Sequence, residues 1–213
     1  YSEDPLLTGE IGAAMINGIE SNGVGATPKH FVANNQETSR NINNSIVSDR
    51  AMREIYLKGF EIIVKKSQPW AIMSSYNKVN GVYTSESKPL LTDILRNEWG
   101  YEGIVMTDWF GGNNVSEQIK AGNDLLEPGT KNIWDNLIKA YEDGDLSTEE
   151  IDLSVSRILG LIIKSKKMSN YDFTNEPDLD KNALITRRSA SEGMVLLKNE
   201  NTLPFENIKN IAL

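Results

Sequence analysis

Gly103-Ile104-Val105-Met106-Thr107-Asp108-Trp109 is the stretch whose reading decides the fold. A short apolar run without alternation ends abruptly in a carboxylate and an indole. Uninterrupted hydrophobicity is what a strand covered on both faces requires, whereas a half-exposed strand alternates. Three further runs share the pattern: Gly23-Val24-Gly25-Ala26 before Lys29-His30, Trp70-Ala71-Ile72-Met73 before Ser74-Ser75-Tyr76-Asn77, and Asp124-Leu125-Leu126 before Glu127-Pro128-Gly129. Each predicts a parallel strand whose C-terminal end is polar.

Helical patterns lie between them. From Ser48 to Lys66, the apolar Met52, Ile55, Tyr56, Phe60 and Ile63 share one helical face, with Ser48 and Asp49 as the cap. Pro89 suits a first turn, Leu90, Leu91, Ile94 and Leu95 follow it, and Gly100 closes the helix. Ser116 to Ala121 and Ile133 to Tyr141 read as two more helices. Ser147-Thr148-Glu149-Glu150 is a capping box ahead of Ile151, Val155, Ile158, Leu159 and Ile162, and predicts a helix running to about Met168. Alternating strand and helix predicts an α/β architecture with a parallel sheet. Since no glycine-rich phosphate fingerprint follows any strand, a (β/α)8 TIM-like barrel is favoured over a dinucleotide-binding sheet. Four strands supply half of such a barrel.

The texture changes after Met168. Residues 169–182 are acidic and aperiodic with one proline, and read as an interdomain linker. Ala183 to Lys198 reads as a helix, and Ile211-Ala212-Leu213 as the opening of a strand. The expected organisation is therefore residues 1–168 as the C-terminal part of the barrel, 169–182 as linker, and 183–213 as the start of a second domain. With no initiating Met and an unfinished last strand, the chain reads as part of a longer protein.

The composition of the 213 residues excludes several functions. A net charge of −8, with no basic cluster interleaved with aromatics, disfavours nucleic acid. No apolar run of about 18 residues predicts a membrane span. Zero cysteines exclude disulfides, thiolate zinc sites and a Cys nucleophile, and a lone histidine cannot build the usual zinc set. Cytoplasm, periplasm and exterior all remain open. Asn43-Asn44-Ser45 and Asn114-Val115-Ser116 match the glycosylation acceptor pattern, which Asn-rich loops also produce by chance.

Chemistry-bearing residues gather at the predicted strand ends. Asp108 there can be a nucleophile, a general base or a metal ligand, or merely a cap on the next helix. Tyr76 could donate to a neighbouring strand's carboxylate, and Trp109 offers a flat face for stacking on a sugar ring. Lys29, His30 and Arg40 are all donors, which suits a polyhydroxylated ligand. No serine lies in a nucleophile elbow.

KHFVANNQETSR, MSSYN and GIVMTDW, in that order and one per strand, resemble glycoside hydrolase family 3, which includes many β-glucosidases and β-xylosidases. YSEDPLLTG, DRAMREIYLKGFE, NKVNGVYTSESKPLLTDILRNEWGYEGIVMTDW, AGNDLLEPG and SEGMVLLKNENTLP extend the resemblance along the whole chain. It implies a barrel joined by a linker to an α/β sandwich, with Asp108 as catalytic nucleophile. It also implies that Lys29, His30 and Arg40 bind sugar hydroxyls, that Tyr76 lies beside the nucleophile and that Trp109 lines the site. The implied reaction is retaining hydrolysis of terminal non-reducing β-D-glycosyl residues from an oligosaccharide or aryl glycoside, with no metal or organic cofactor. The acid/base implied is a Glu beyond Leu213. A branch of the family with a KHFPGHG-type sequence uses an Asp-His pair instead, but here Lys29-His30-Phe31 continues as Val-Ala-Asn-Asn-Gln-Glu and no second histidine exists.

Two other classes compete with this reading. One is a non-catalytic carbohydrate-binding or scaffold segment, inactive without the rest of the enzyme. The other is a phosphate-binding barrel enzyme such as an aldolase, which lacks its glycine-rich loop here. Half a barrel exposes sheet edges, so completion by the missing remainder or by self-association is expected.

Overall fold

The computed structural model describes residues 1–169, 171, 174–206 and 209–210. Two units divide the chain, Tyr1–Tyr171 and Asp172–Leu213. The expected strand at Ile211-Ala212-Leu213 lies outside the described residues.

Unit one opens with helix α1 (Pro5–Glu20), started by Asp4, whose carboxylate accepts the amides of Leu6 and Leu7. The chain then runs extended through Ala26 to Phe31. Strand β1 (Asn44–Ser45) leads to a helical run, α2 (Asp49–Ala51) and α3 (Lys58–Ser67), with a π-type turn Met52–Tyr56 between them. β2 (Ala71–Met73) follows, then the hairpin β3 (Lys78–Val79) and β4 (Val82–Tyr83), a 3₁₀ turn Thr84–Glu86 and a π-type helix Pro89–Glu98. β5 (Ile104–Met106), α4 (Val115–Ala121), α5 (Lys131–Glu142) and α6 (Thr148–Lys164) complete the order.

The four predicted strand segments pair in chain order. Ala71 and Met73 donate to the carbonyls of Ala26 and Pro28 at 3.3 Å each, and Phe31 bridges Ser74 in parallel. β2 and β5 pair in parallel, Ala71 opposite Ile104 and Met73 opposite Met106, and Met106 in turn bridges Leu125. A helix separates each segment from the next: α3, the Pro89–Glu98 helix, then α4. The order never reverses, so no switch-point crevice of the doubly wound kind arises.

Beneath the strands, Phe31, Leu57, Val64, Ile72, Leu91, Leu95, Trp99 and Val105 form one buried apolar cluster. Phe31 is fully buried and meets Phe60 and Trp99 edge-on, with centroids 5.1 and 6.2 Å away. Edge-to-face pairs of this kind add about 0.5–1.5 kcal/mol beyond their burial. That cluster sits directly under the residue following His30.

Several details differ from the sequence expectation for physical reasons. Ile55, predicted to face the core, is 51% exposed, whereas Leu57 is 1% exposed. The amide of Leu57 bonds the Met52 carbonyl five residues back, so the turn carries one extra residue and the buried face shifts in phase. The capping-box helix forms with Ser147 and Glu150 exchanging bonds, but it ends at Lys164 and a 3₁₀ turn, Lys166–Met168, takes the last residues. The β3–β4 hairpin was not anticipated, although Asn80-Gly81 signals it: both residues have positive φ (50° and 96°), as a two-residue type I′ turn requires.

In the second unit, α7 (Leu179–Glu192) starts earlier and ends earlier than the expected Ala183–Lys198. Asp178 provides the reason for the start, its carboxylate accepting the Lys181 amide at 2.9 Å. Beyond it, Asn199 closes a turn by donating to the Leu203 carbonyl at 2.7 Å while accepting from Thr202 and Leu203.

Candidate active site

Adjacent strand ends bring three of the predicted residues together. Asp108 leaves the end of β5, and its Oδ2 lies 3.2 Å from Nε2 of His30, two strands away in the pairing order. Its Oδ1 accepts the Trp109 amide at 2.7 Å. The phenol of Tyr76, at the end of the intervening strand, lies near enough to the same carboxylate for its charge to act on the ring hydroxyl. A carboxylate is acceptor-only, so the imidazole edge facing it carries the proton on Nε2. Oδ1 thus holds a backbone donor while Oδ2 faces the imidazole, which orients the group.

The electrostatics keep both side-chain donors in their donating forms. Burial pushes the His30 imidazole below its ordinary value; Asp108 opposes this, Lys29 and Arg40 reinforce it, and Glu37 weakly opposes it. The ring is therefore neutral near pH 7. Burial and the charge of Asp108 both raise the Tyr76 phenol, which stays protonated.

The other three residues stand further out. Arg40 lies over the Tyr76 ring, 4.8 Å from its centroid, and bonds Glu37 Oε2 at 3.0 Å. Lys29 is exposed and acts on His30 through its charge. The Trp109 indole is 55% exposed, so of this residue only the amide holds Asp108. A cavity of about 960 Å³ is lined by Lys29, His30 and Asn34 together with Ile16, Phe60 and Ile63; Asp108, Tyr76 and Arg40 are not part of its wall.

A buried polar frame sets the spacing of these strand ends. Ser75 Oγ donates to the Val32 carbonyl at 3.2 Å, and the Asn77 amide donates to the carbonyls of Val32 and Ala33 at 3.2 and 3.3 Å. These bonds tie the residues flanking Tyr76 to those following His30. On the other side, the Thr107 hydroxyl accepts the Glu127 amide at 2.8 Å and the Glu127 carbonyl accepts the Phe110 amide at 3.0 Å, clasping Asp108 from both flanks. Below them, Asp124 is buried between Arg96 and Arg157 at 2.6 and 3.0 Å and also accepts the Val105 amide at 2.8 Å. None of these supports was identified from the sequence, because Ser, Asn and Thr at strand ends carry no pattern that distinguishes a cross-strand bond from a solvated turn.

Among the described residues, no group of three His, Asp or Glu could hold a metal ion. A neutral imidazole, a phenol and a carboxylate at one mouth, surrounded by Lys29 and Arg40, can instead bind hydroxyl groups and present an oriented oxygen nucleophile.

Comparison with known proteins bears on this arrangement. The family model described as the glycosyl hydrolase family 3 N terminal domain matches residues 1–161. A beta-glucosidase of Rhizobium radiobacter is 46% identical over 213 residues, covering 96% of this chain and 25% of that protein. An exo-alpha-(1->6)-L-arabinopyranosidase of Bifidobacterium breve is 40% identical over 206 residues, covering 95% of this chain and 27% of that protein. The structure of beta-glucosidase 3B from Thermotoga neapolitana in complex with alpha-D-glucose superimposes with a TM-score of 0.93 at 49% identity, over 97% of this chain and 30% of that one. The chain thus spans between a quarter and a third of the length of these relatives.

Proposed function

The chain belongs to glycosyl hydrolase family 3 through that family's N-terminal domain, and on this premise we propose that it supplies the nucleophile and sugar-binding face of a retaining β-glycosidase, most simply a β-glucosidase. The observation that carries the reading is the approach of His30 to within 3.2 Å of the Asp108 carboxylate, with the Tyr76 phenol within reach of that carboxylate's charge. In the first half-reaction an Asp108 oxygen bonds the anomeric carbon as the glycosidic C–O bond breaks, and an acid about 5–5.5 Å away protonates the departing oxygen. In the second, the same group, now a base, takes a proton from water, whose oxygen displaces Asp108.

Bonds to Asp108 have a cost and a use. The Trp109 amide and the facing His30 imidazole restrict how the carboxylate can move but hold it aimed. His30, Lys29 and Arg40 bind hydroxyls of the ring in the −1 subsite, and contacts that tighten as the ring flattens favour the transition state over the ground state. The exposed Trp109 indole lines the subsite for the sugar. The acid/base is a Glu from the second domain, whose start is the 183–213 segment with its first helix reaching back to Leu179 into the expected 169–182 linker, and residues 1–168 are the C-terminal part of the (β/α)8 barrel, completed by the rest of the protein. The in-order parallel pairing supports that half-barrel reading.

An activated 2-deoxy-2-fluoro-glycoside offered to the full-length protein is expected to form a stable adduct on Asp108, located by peptide mass mapping, and Asp108→Asn is expected to abolish it without loss of folding. An adduct on another carboxylate would overturn the assignment. Glycoside binding with neither adduct nor hydrolysis would favour a carbohydrate-binding segment instead.

A further inference from the structure

We propose that Glu86 is a positioning residue for the nucleophile, an inference that rests on the assignment of Asp108 above. Oε1 of Glu86 accepts two consecutive backbone amides, those of Asn113 at 2.5 Å and Asn114 at 2.8 Å. Both belong to the short loop that carries Asp108 and Trp109 away from β5 into α4. A carboxylate oxygen accepting two amides is among the stronger ways to pin a loop that has no secondary structure.

Glu86 is itself rigidly based. It ends the 3₁₀ turn in which Thr84 and Ser85 are fully buried. The Thr84 hydroxyl donates to the Ser75 carbonyl at 2.7 Å, and the Ser85 carbonyl accepts the Asn123 side-chain amide at 2.5 Å. Ser75 is the neighbour of Tyr76. Glu86 therefore links the strand end that presents Tyr76 to the loop that presents Asp108.

The loop it holds needs holding. Phe110 adopts φ of 62°, a conformation that is costly for a bulky side chain and persists only where its surroundings impose it. Its neighbours are secured on every side: Gly111 N–H bonds the Asp108 carbonyl at 2.9 Å, and the buried Gln118 amide bonds the Gly111 carbonyl at 2.6 Å. Gly112 has φ of 78°, and a Cβ there would run into Gln118, Ser85 and Glu86. If the Glu86 bonds are lost, the loop keeps its bonds to Asp108, Gln118 and Glu127 but loses its anchor at Asn113 and Asn114, and Phe110 can shift towards an ordinary conformation. The Trp109 amide then turns with it and gives up its bond to Asp108.

The test uses the full-length protein and the rate at which an activated 2-deoxy-2-fluoro-glycoside labels Asp108, normalised to folded protein. Glu86→Ala is expected to slow labelling about 10- to 100-fold, the range set by small misplacements of a reacting group. KM for an aryl glycoside is expected to change far less than kcat. Glu86→Asp keeps the charge but lacks the reach and is expected to be slow as well, whereas Glu86→Gln keeps an acceptor at the same reach and is expected to restore labelling to within about fivefold of the parent. Gly112→Ala perturbs the clamp from the other side and is expected to behave like Glu86→Asp. A purely structural residue would lower the melting temperature and leave labelling per folded molecule unchanged. Parental labelling rates in Glu86→Ala, or in Glu86→Asp should the alanine variant not fold, would overturn the proposal, and so would equal loss in Glu86→Gln and Glu86→Asp. Absence of labelling in the parent protein would instead sink the assignment of Asp108.

Discussion

Replacing Asp124 by Ala is expected to be among the most damaging single changes in the first unit. The carboxylate is fully buried, paired with Arg96 (side chain 7% exposed) at 2.6 Å and Arg157 (21% exposed) at 3.0 Å, and it also accepts the Val105 amide. Burial already pulls the Arg96 guanidinium below its ordinary value, and the charge of Asp124 is the chief force opposing that. Without the carboxylate, a desolvated cation has no counter-charge and a strand amide loses its acceptor. Removing one partner of a buried pair costs about 3–5 kcal/mol, mostly as the penalty on the group left behind. At a urea slope of about 2 kcal/mol per molar, that is a midpoint shift of about 1.5–2.5 M. Tryptophan fluorescence follows the transition through the buried Trp70 and Trp99. Arg157→Met removes the more exposed partner and is expected to cost much less, about 1 kcal/mol. A loss below about 1 kcal/mol in Asp124→Ala, or a larger loss in Arg157→Met, would refute the reasoning.

Three further outcomes are expected. Phe31→Ala empties a fully buried site between Phe60 and Trp99 and is expected to cost about 3–5 kcal/mol by denaturation, with Phe31→Leu losing less. His30, the single histidine of the 213 residues, is expected to titrate below 6.5 by NMR, and lower still in Asp108→Asn, where the opposing charge is gone. Because burial lowers its folded pKa, the unfolded chain takes up this proton first, so His30 weakens folding as pH falls from 6.5 towards the folded value; a midpoint above 6.5 would contradict this. Ser147→Ala removes the capping box of α6 and is expected to cost about 1 kcal/mol, detectable as a lower midpoint of thermal unfolding.

What could be read in advance was whatever rests on local pattern. Gly103 to Met106 declares a strand covered on both faces by its lack of alternation, and Ser147 to Glu150 declares a helix start by chemistry within four residues. Strand-end position marked Asp108, His30 and Tyr76 as candidates and family resemblance gave them roles, but the contact of His30 with Asp108 depends on which strand ends are neighbours. Glu86 escaped notice because its partners are backbone amides, which leave no trace in the identities of Asn113 and Asn114. Asp124 escaped because its two arginines lie on separate helices, far apart in the chain. The phase shift that exposes Ile55 follows from one inserted residue in a turn, which apolar spacing alone does not reveal.

The in-order parallel pairing of the four strand segments has a consequence for how the candidate site assembles during folding. Parallel neighbours are never joined by a tight turn, so each pairing waits for a helical crossover to close a long loop. No two of His30, Tyr76 and Asp108 share a hairpin, so each of their encounters waits on a parallel pairing. The site is therefore assembled from contacts between residues far apart in the chain. Helices formed by local contacts alone do not bring these side chains together, and the slower non-local strand pairings must form first.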